Sequence, residues 1–127
     1  MAPVKGKRRH LSYSVAIPIP ALDRHGRRLE RSRVEDWTRR VLAQLTECFG
    51  GATAVPALGT NILGGRIVYE EGQVLARAAC EDRQTYLDNS ERVIEIAEQM
   101  GAALDQESVI VLAAPSDSVL VELRLET

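Results

Sequence analysis

Two stretches of this chain place apolar residues at intervals of three and four, and that spacing decides most of what the chain can fold into. In SRVEDWTRRVLAQLTECFGG, Val34, Trp37, Val41, Leu45 and Cys48 share one helical face, while Arg33, Asp36, Arg39, Arg40 and Glu47 lie on the solvated face. In YLDNSERVIEIAEQMGAALDQ the stripe is Val93, Ile96, Ala97, Met100 and Leu104. Ser32 with Glu35, and Asp88 with Glu91, read as capping pairs at the two helix starts. A one-sided stripe needs a surface to lie on, and the rest of the sequence supplies strands.

HLSYSVAIPIPAL alternates Leu11, Tyr13, Val15, Ile17 and Ile19 against Ser12, Ser14, Ala16 and Pro18, the period of a strand with one buried face. Pro18 and Pro20 cannot donate to a ladder, so this strand ends near residue 17 or turns those positions away from a neighbour. ATAVPALGTNI, interrupted by Pro56 and Gly59, fits an irregular or edge strand. RIVYEEGQVLARAACED reads as one long strand with a bulge at Gly72, the alternative being a hairpin turn at EEG. SVIVLAA and SVLVELRLE, separated by PSD, read as a closing hairpin.

The order β, α, β, β, α, β plus one further strand predicts an α+β fold. It is the ferredoxin-like βαββαβ sandwich with an extra C-terminal strand and two helices on one face of the sheet. At 127 residues and 45% hydrophobic content the chain suits one core. The expected organisation is a basic N-terminal arm over 1–10 and a single domain over 11–127. Val109 to Ala113 and Val119 to Leu125 are apolar on both sides. That predicts a homo-oligomer, or a place in a larger complex, burying on the order of 1,200 to 2,000 Å².

TECFGGATAVPALGTNILGG raises the question of a phosphate-cradling loop, because it holds five glycines in twenty residues. A phosphate loop needs glycines ahead of a helix, where free N–H groups face the anion. Gly50 and Gly51 instead follow the last apolar residues of the first helix, where free carbonyls and the negative dipole end repel phosphate. They read as a left-handed C-cap. Trp37, in the middle of its stripe, reads as core in preference to a stacking platform. Cys48 and Cys80 read as two buried thiols of a reducing compartment, in preference to a disulfide or metal site.

Charge is unevenly spread. Residues 1–40 carry eleven Lys and Arg against four acids, and residues 41–127 carry five against fourteen. Lys5, Lys7, Arg8, Arg9, Arg24, Arg27, Arg28, Arg31 and Arg33 are therefore the candidate binding residues for an acidic partner, protein or nucleic acid. No apolar run approaches a membrane span and the N-terminus lacks a signal peptide's apolar stretch, so a cytoplasmic protein with no membrane partner is expected. His10 and His25 sit beside Arg9 and Arg24 with no nucleophile at a base's spacing. YEEG, CED and DQES offer carboxylates for a hard cation or acid–base work, but they read as solvent-facing charges, and no metal-ligand spacing is present. No catalytic residue, metal site or cofactor is read from these motifs.

The tryptophan-bearing helix ending in FGGAT, the downstream EEGQVLARAACED strand and the helix ending in QESVIV together resemble a group of small, uncharacterised bacterial proteins, over roughly residues 13 to 113. The resemblance implies the same α+β fold and carries no activity. From the charge split, the expected function is a non-enzymatic binding or assembly module, an accessory subunit presenting a basic surface. The alternative is a small enzyme with a pocket on the ferredoxin-like sheet.

Overall fold

The computed structural model describes residues 6–123, so Lys5 lies outside the described residues. Six elements follow one another: β1 (Gly6–Ile19), α1 (Arg31–Phe49), β2 (Thr53–Leu63), β3 (Arg66–Cys80), α2 (Arg83–Ala103) and β4 (Leu112–Leu123). The sheet order is β2-β3-β1-β4, each neighbouring pair antiparallel. Each helix crosses between two parallel strands that are separated by a strand of the other unit, which gives the ferredoxin-like arrangement. No described helix is long and apolar enough to cross a membrane.

Val15, Ile17 and Ile19 of β1 and Ala76 and Ala78 of β3 meet Val41, Leu45, Val93, Ile96, Met100 and Leu104 in one buried cluster. The α2 stripe is buried throughout, as its spacing predicts. The α1 stripe is buried at Val41 and Leu45, whereas Val34 and Trp37 are half-buried at the cluster's margin. The Arg40 guanidinium stands 4.9 Å from the Trp37 ring centroid and shields its outer side. Gly50 takes the left-handed conformation at φ 89°, and its N–H donates to the Thr46 carbonyl at 2.7 Å, as the C-cap reading requires.

Both helix starts lie upstream of the predicted capping pairs. The first helix begins at Arg31, Glu30 caps it without a side-chain hydrogen bond, and Ser32 falls inside the first turn. Glu35 pairs with Arg31 instead, Oε1 to Nε at 3.1 Å. In α2 the cap is Asp82, whose carboxylate accepts from the Thr85 N–H and hydroxyl at 2.8 Å each, and Asp88 is interior.

Residues 66–80 form one strand with a bulge. Ala57 faces Gln73 and Gly59 faces Glu70, so Glu71 and Gly72 together oppose Leu58, with Gly72 at φ 84°. The expected extra C-terminal strand is absorbed into β4. Leu11 pairs with Ser118 and Tyr13 with Pro115, so PSD makes a bulge instead of reversing the chain, and the Ser116 hydroxyl donates to the Leu11 carbonyl. SVIV stays outside the ladder, which ends at the pair Ala16 and Leu112.

Residues 6–10 belong to β1 and pair with β4, while β3 joins β1 only from Tyr13 onward. At the other end, β2 and β3 pair from Gly59 to Glu70 beyond the reach of β1. The sheet therefore ends in two two-stranded ribbons that project from opposite ends.

Candidate functional site

The basic residues divide between these ends. Lys7, Arg8 and Arg9 lie on the β1–β4 ribbon, where Arg9 pairs with Glu81 and Glu122. Arg24, Arg27 and Arg28 lie on the β1–α1 loop, and Arg31 and Arg33 on the first turn of α1. Arg24 bonds Asp105 at 3.1 Å and Arg27 approaches Asp23 at 3.7 Å. Arg33 donates to the Ala103 carbonyl. Most of the loop and helix cations are thus engaged within the fold.

A cavity of about 390 Å³ opens where the β1–α1 loop, the β2–β3 ribbon and the α2–β4 connection meet. Glu70 is its best-held side chain. One carboxylate oxygen, Oε1, accepts the Ala21 N–H at 2.9 Å and the Leu22 N–H at 2.8 Å, and Oε2 accepts from Gln73 Nε2 at 3.2 Å. Gly59 makes this possible. A Cβ there would stand 2.6 Å from Gln73 Oε1, so the glycine leaves room for the Gln73 amide to lie over β2 in the position from which it bonds Glu70. Two loop N–H groups, one fixed carboxylate and one amide form a closed local system.

The other wall is fastened to the same loop. Gln106 Nε2 donates to the carbonyls of Leu22 at 2.7 Å and Leu104 at 2.9 Å, and the Arg24 N–H donates to the Asp105 carbonyl at 2.8 Å. Asp23 is spent on the turn, accepting the His25 and Arg27 N–H groups at 2.9 Å. Those bonds, Arg27's first, hold its carboxyl below the usual carboxylate range. Asp23, Glu70 and Glu107 line the cavity against a single guanidinium, Arg24, which already has Asp105. Its charge is therefore net negative and suits a cationic ligand.

YEEG and DQES contribute to this cavity through Glu70 and through Gln106, Glu107 and Ser108; Glu107 and Ser108 are exposed in the loop after α2, whereas Glu70 is half-buried and not simply solvent-facing. Glu70 was missed because its partners, the Ala21 and Leu22 N–H groups, lie 49 and 48 residues away, and the bulge beside it marks the position without naming them. CED serves structure: Glu81 pairs with Arg9 and Asp82 caps α2. Burial pushes the thiols of Cys48 and Cys80 up from the usual cysteine value, and both are free. Among the described residues no three His, Cys, Asp or Glu side chains cluster as metal ligands.

No protein-family model matches the chain, and no curated protein matches it in sequence. Solved structures match in fold. A phage SAM lyase in its apo state aligns at TM-score 0.59 and 18% identity over 100% of this chain and 98% of that one. A phage SAM lyase in complex with S-methyl-5'-thioadenosine aligns at TM-score 0.60 and 16% identity over 98% and 95% of the two chains. CutA from Synechococcus elongatus aligns at TM-score 0.51 and 7% identity over 90% and 85%. The resemblance to small bacterial proteins is thereby reduced to a shared small α+β fold. The expectation of a non-enzymatic binding or assembly module is corrected. The structures spanning nearly the whole chain are those of an enzyme, one with a nucleoside thioether bound, and they fit the enzyme alternative better.

Proposed function

We propose that this protein is a small lyase acting on S-adenosylmethionine or a closely similar nucleoside sulfonium. The observation that carries the reading is the near end-to-end likeness to a lyase in complex with S-methyl-5'-thioadenosine. The net negative cavity at Glu70 supports it, since its volume is within the range of small-molecule sites and its charge complements a sulfonium.

In such a reaction the substrate's own carboxylate oxygen bonds to the γ carbon, closing a lactone, as the bond between that carbon and sulfur breaks. Its electron pair stays on sulfur, and the sulfonium becomes a neutral thioether. The chain's own contribution is positional. Glu70, held by three donors, is a fixed negative charge near which the sulfonium settles, while Gln106 and Arg24 keep the loop wall in place.

The test is incubation with S-adenosylmethionine, following S-methyl-5'-thioadenosine chromatographically. We expect its release by the wild-type protein and a loss of at least about tenfold in Glu70→Gln, the scale of one charge-assisted contact. A wild-type protein that neither releases nor binds the thioether ends the lyase reading.

We also infer that the protein is a homo-oligomer. Leu58, Ile62, Ile67 and Tyr69 on one ribbon and Val119 and Val121 on the other are between 47% and 71% exposed. Two-stranded ribbons are marginal alone, and a second copy packed against them would cover these side chains.

A further inference from the structure

Across the β1–α1 loop from the acidic cavity lies a groove of about 650 Å³. Ala21, Leu29, Val34, Pro56 and Val74 give it an apolar floor, bounded by the first turns of α1 on one side and the β3 bulge on the other. Its rim carries Arg28, Arg31, Arg39 and the carboxylate of Glu35. Arg31 and Glu35 neutralise one another. Among the described residues, Arg28 and Arg39 have no carboxylate within ion-pair distance.

The remaining polar groups of the groove are already engaged. The Thr38 hydroxyl donates to the Val34 carbonyl at 2.7 Å, and Gln73 reaches Glu70. What is left for a ligand is an apolar floor and two guanidiniums, which only donate. One of them lies close to Gly72. A Cβ at this residue would stand 3.3 Å from Arg28 Nη1, so the guanidinium lies against the bulge at the groove's edge.

We propose that this groove is a second binding site, for a small amphipathic anion with a carboxylate or phosphate head on an aromatic or aliphatic body. The charge pattern selects the occupant. An anionic head finds Arg28 and Arg39 here, whereas the cavity across the loop, with Asp23, Glu70 and Glu107, repels it. The proposal does not depend on the lyase reading.

The test uses 2-naphthoate, 2-naphthyl phosphate and neutral 2-naphthalenemethanol as probes, titrated calorimetrically into the full chain. The naphthyl body fits the floor in all three, and the anions should bind at least about tenfold tighter than the alcohol. Whichever anion binds tighter identifies the head group. Changing Arg28→Gln and Arg39→Gln together should erase that tenfold preference and leave the alcohol unchanged. Thr38→Trp, which fills the groove, should abolish binding of all three. Excess S-methyl-5'-thioadenosine should not displace the anions. No saturable binding, equal affinity for the alcohol, an unchanged anion affinity in the double variant, or displacement by the thioether would each overturn the proposal.

Discussion

The two faces of the sheet are written by the same strands in opposite phases, and both phases are apolar. Val15, Ile17, Ile19, Ala76 and Ala78 point toward the helices and are almost wholly buried. On the opposite face, register places Val55, Leu75, Pro18 and Leu112 near one another, with Ala16 and Ala79 beside them and Arg77 as the charged exception. Val55 is 46% and Leu112 45% exposed. One face is therefore completed by the chain's own helices, and the other keeps a surface for something else. Folding stability resides in the first, and the second is where the proposed self-association can be tested.

The contrast can be broken most directly at Leu45, fully buried beneath α1. Leu45→Ala should cost about 2 to 5 kcal/mol in a urea titration, the range for cavity formation in a core. A loss below about 1 kcal/mol would mean that the helical face is less closely packed than its burial indicates. Trp37→Ala should cost less, about 1 to 3 kcal/mol, because the ring is half-buried and only part of its area leaves water on folding. Thermal melts of Gly50→Ala should show a loss of about 1 kcal/mol, the strain of a side chain at φ 89°, with no change in ligand binding.

On the open face, Leu112→Ser should alter unfolding at high dilution by less than about 0.5 kcal/mol. In sedimentation velocity it should shift the protein toward smaller species. An unchanged distribution would locate self-association elsewhere. The smallest effect concerns acid. Hydrogen bonds from Thr85, the backbone N–H first, hold the Asp82 carboxyl below its usual range. Its contribution is present above the ordinary carboxylate pKa, roughly pH 4, and is lost as pH falls through the lowered folded value. Asp82→Asn should therefore narrow the loss of stability as pH falls below about 4.

Much of this architecture could be read from periodicity. The α2 stripe, the Gly50 cap and the single bulged strand around Gly72 are decided by neighbours a few residues away, and local spacing records such effects. The helix starts were harder. Ser32 and Asp88 carried plausible capping patterns, but Asp82 had a better donor set at Thr85, and Glu30 starts α1 with no side-chain cap at all. The fate of PSD was set by the distant partner Leu11, which turns a would-be reversal into a bulge. The acidic cavity was out of reach for the same reason. Glu70 meets Ala21 and Leu22 across 49 and 48 residues, and no local pattern announces that encounter.

The central position of β1 has a consequence for how the chain is made. It is the first described element to be synthesised and occupies the interior of the sheet, yet one neighbour, β4, is the last, with Ser14 contacting Ala114 across 100 residues. Loop closure over such a separation is slow compared with forming the adjacent β2–β3 hairpin. During synthesis β1 can acquire β3, α1 and α2, but its other edge stays unpaired until β4 emerges. A partly made chain therefore exposes a long strand edge beginning with Lys7, Arg8 and Arg9, and these cations discourage two such edges from joining before β4 arrives.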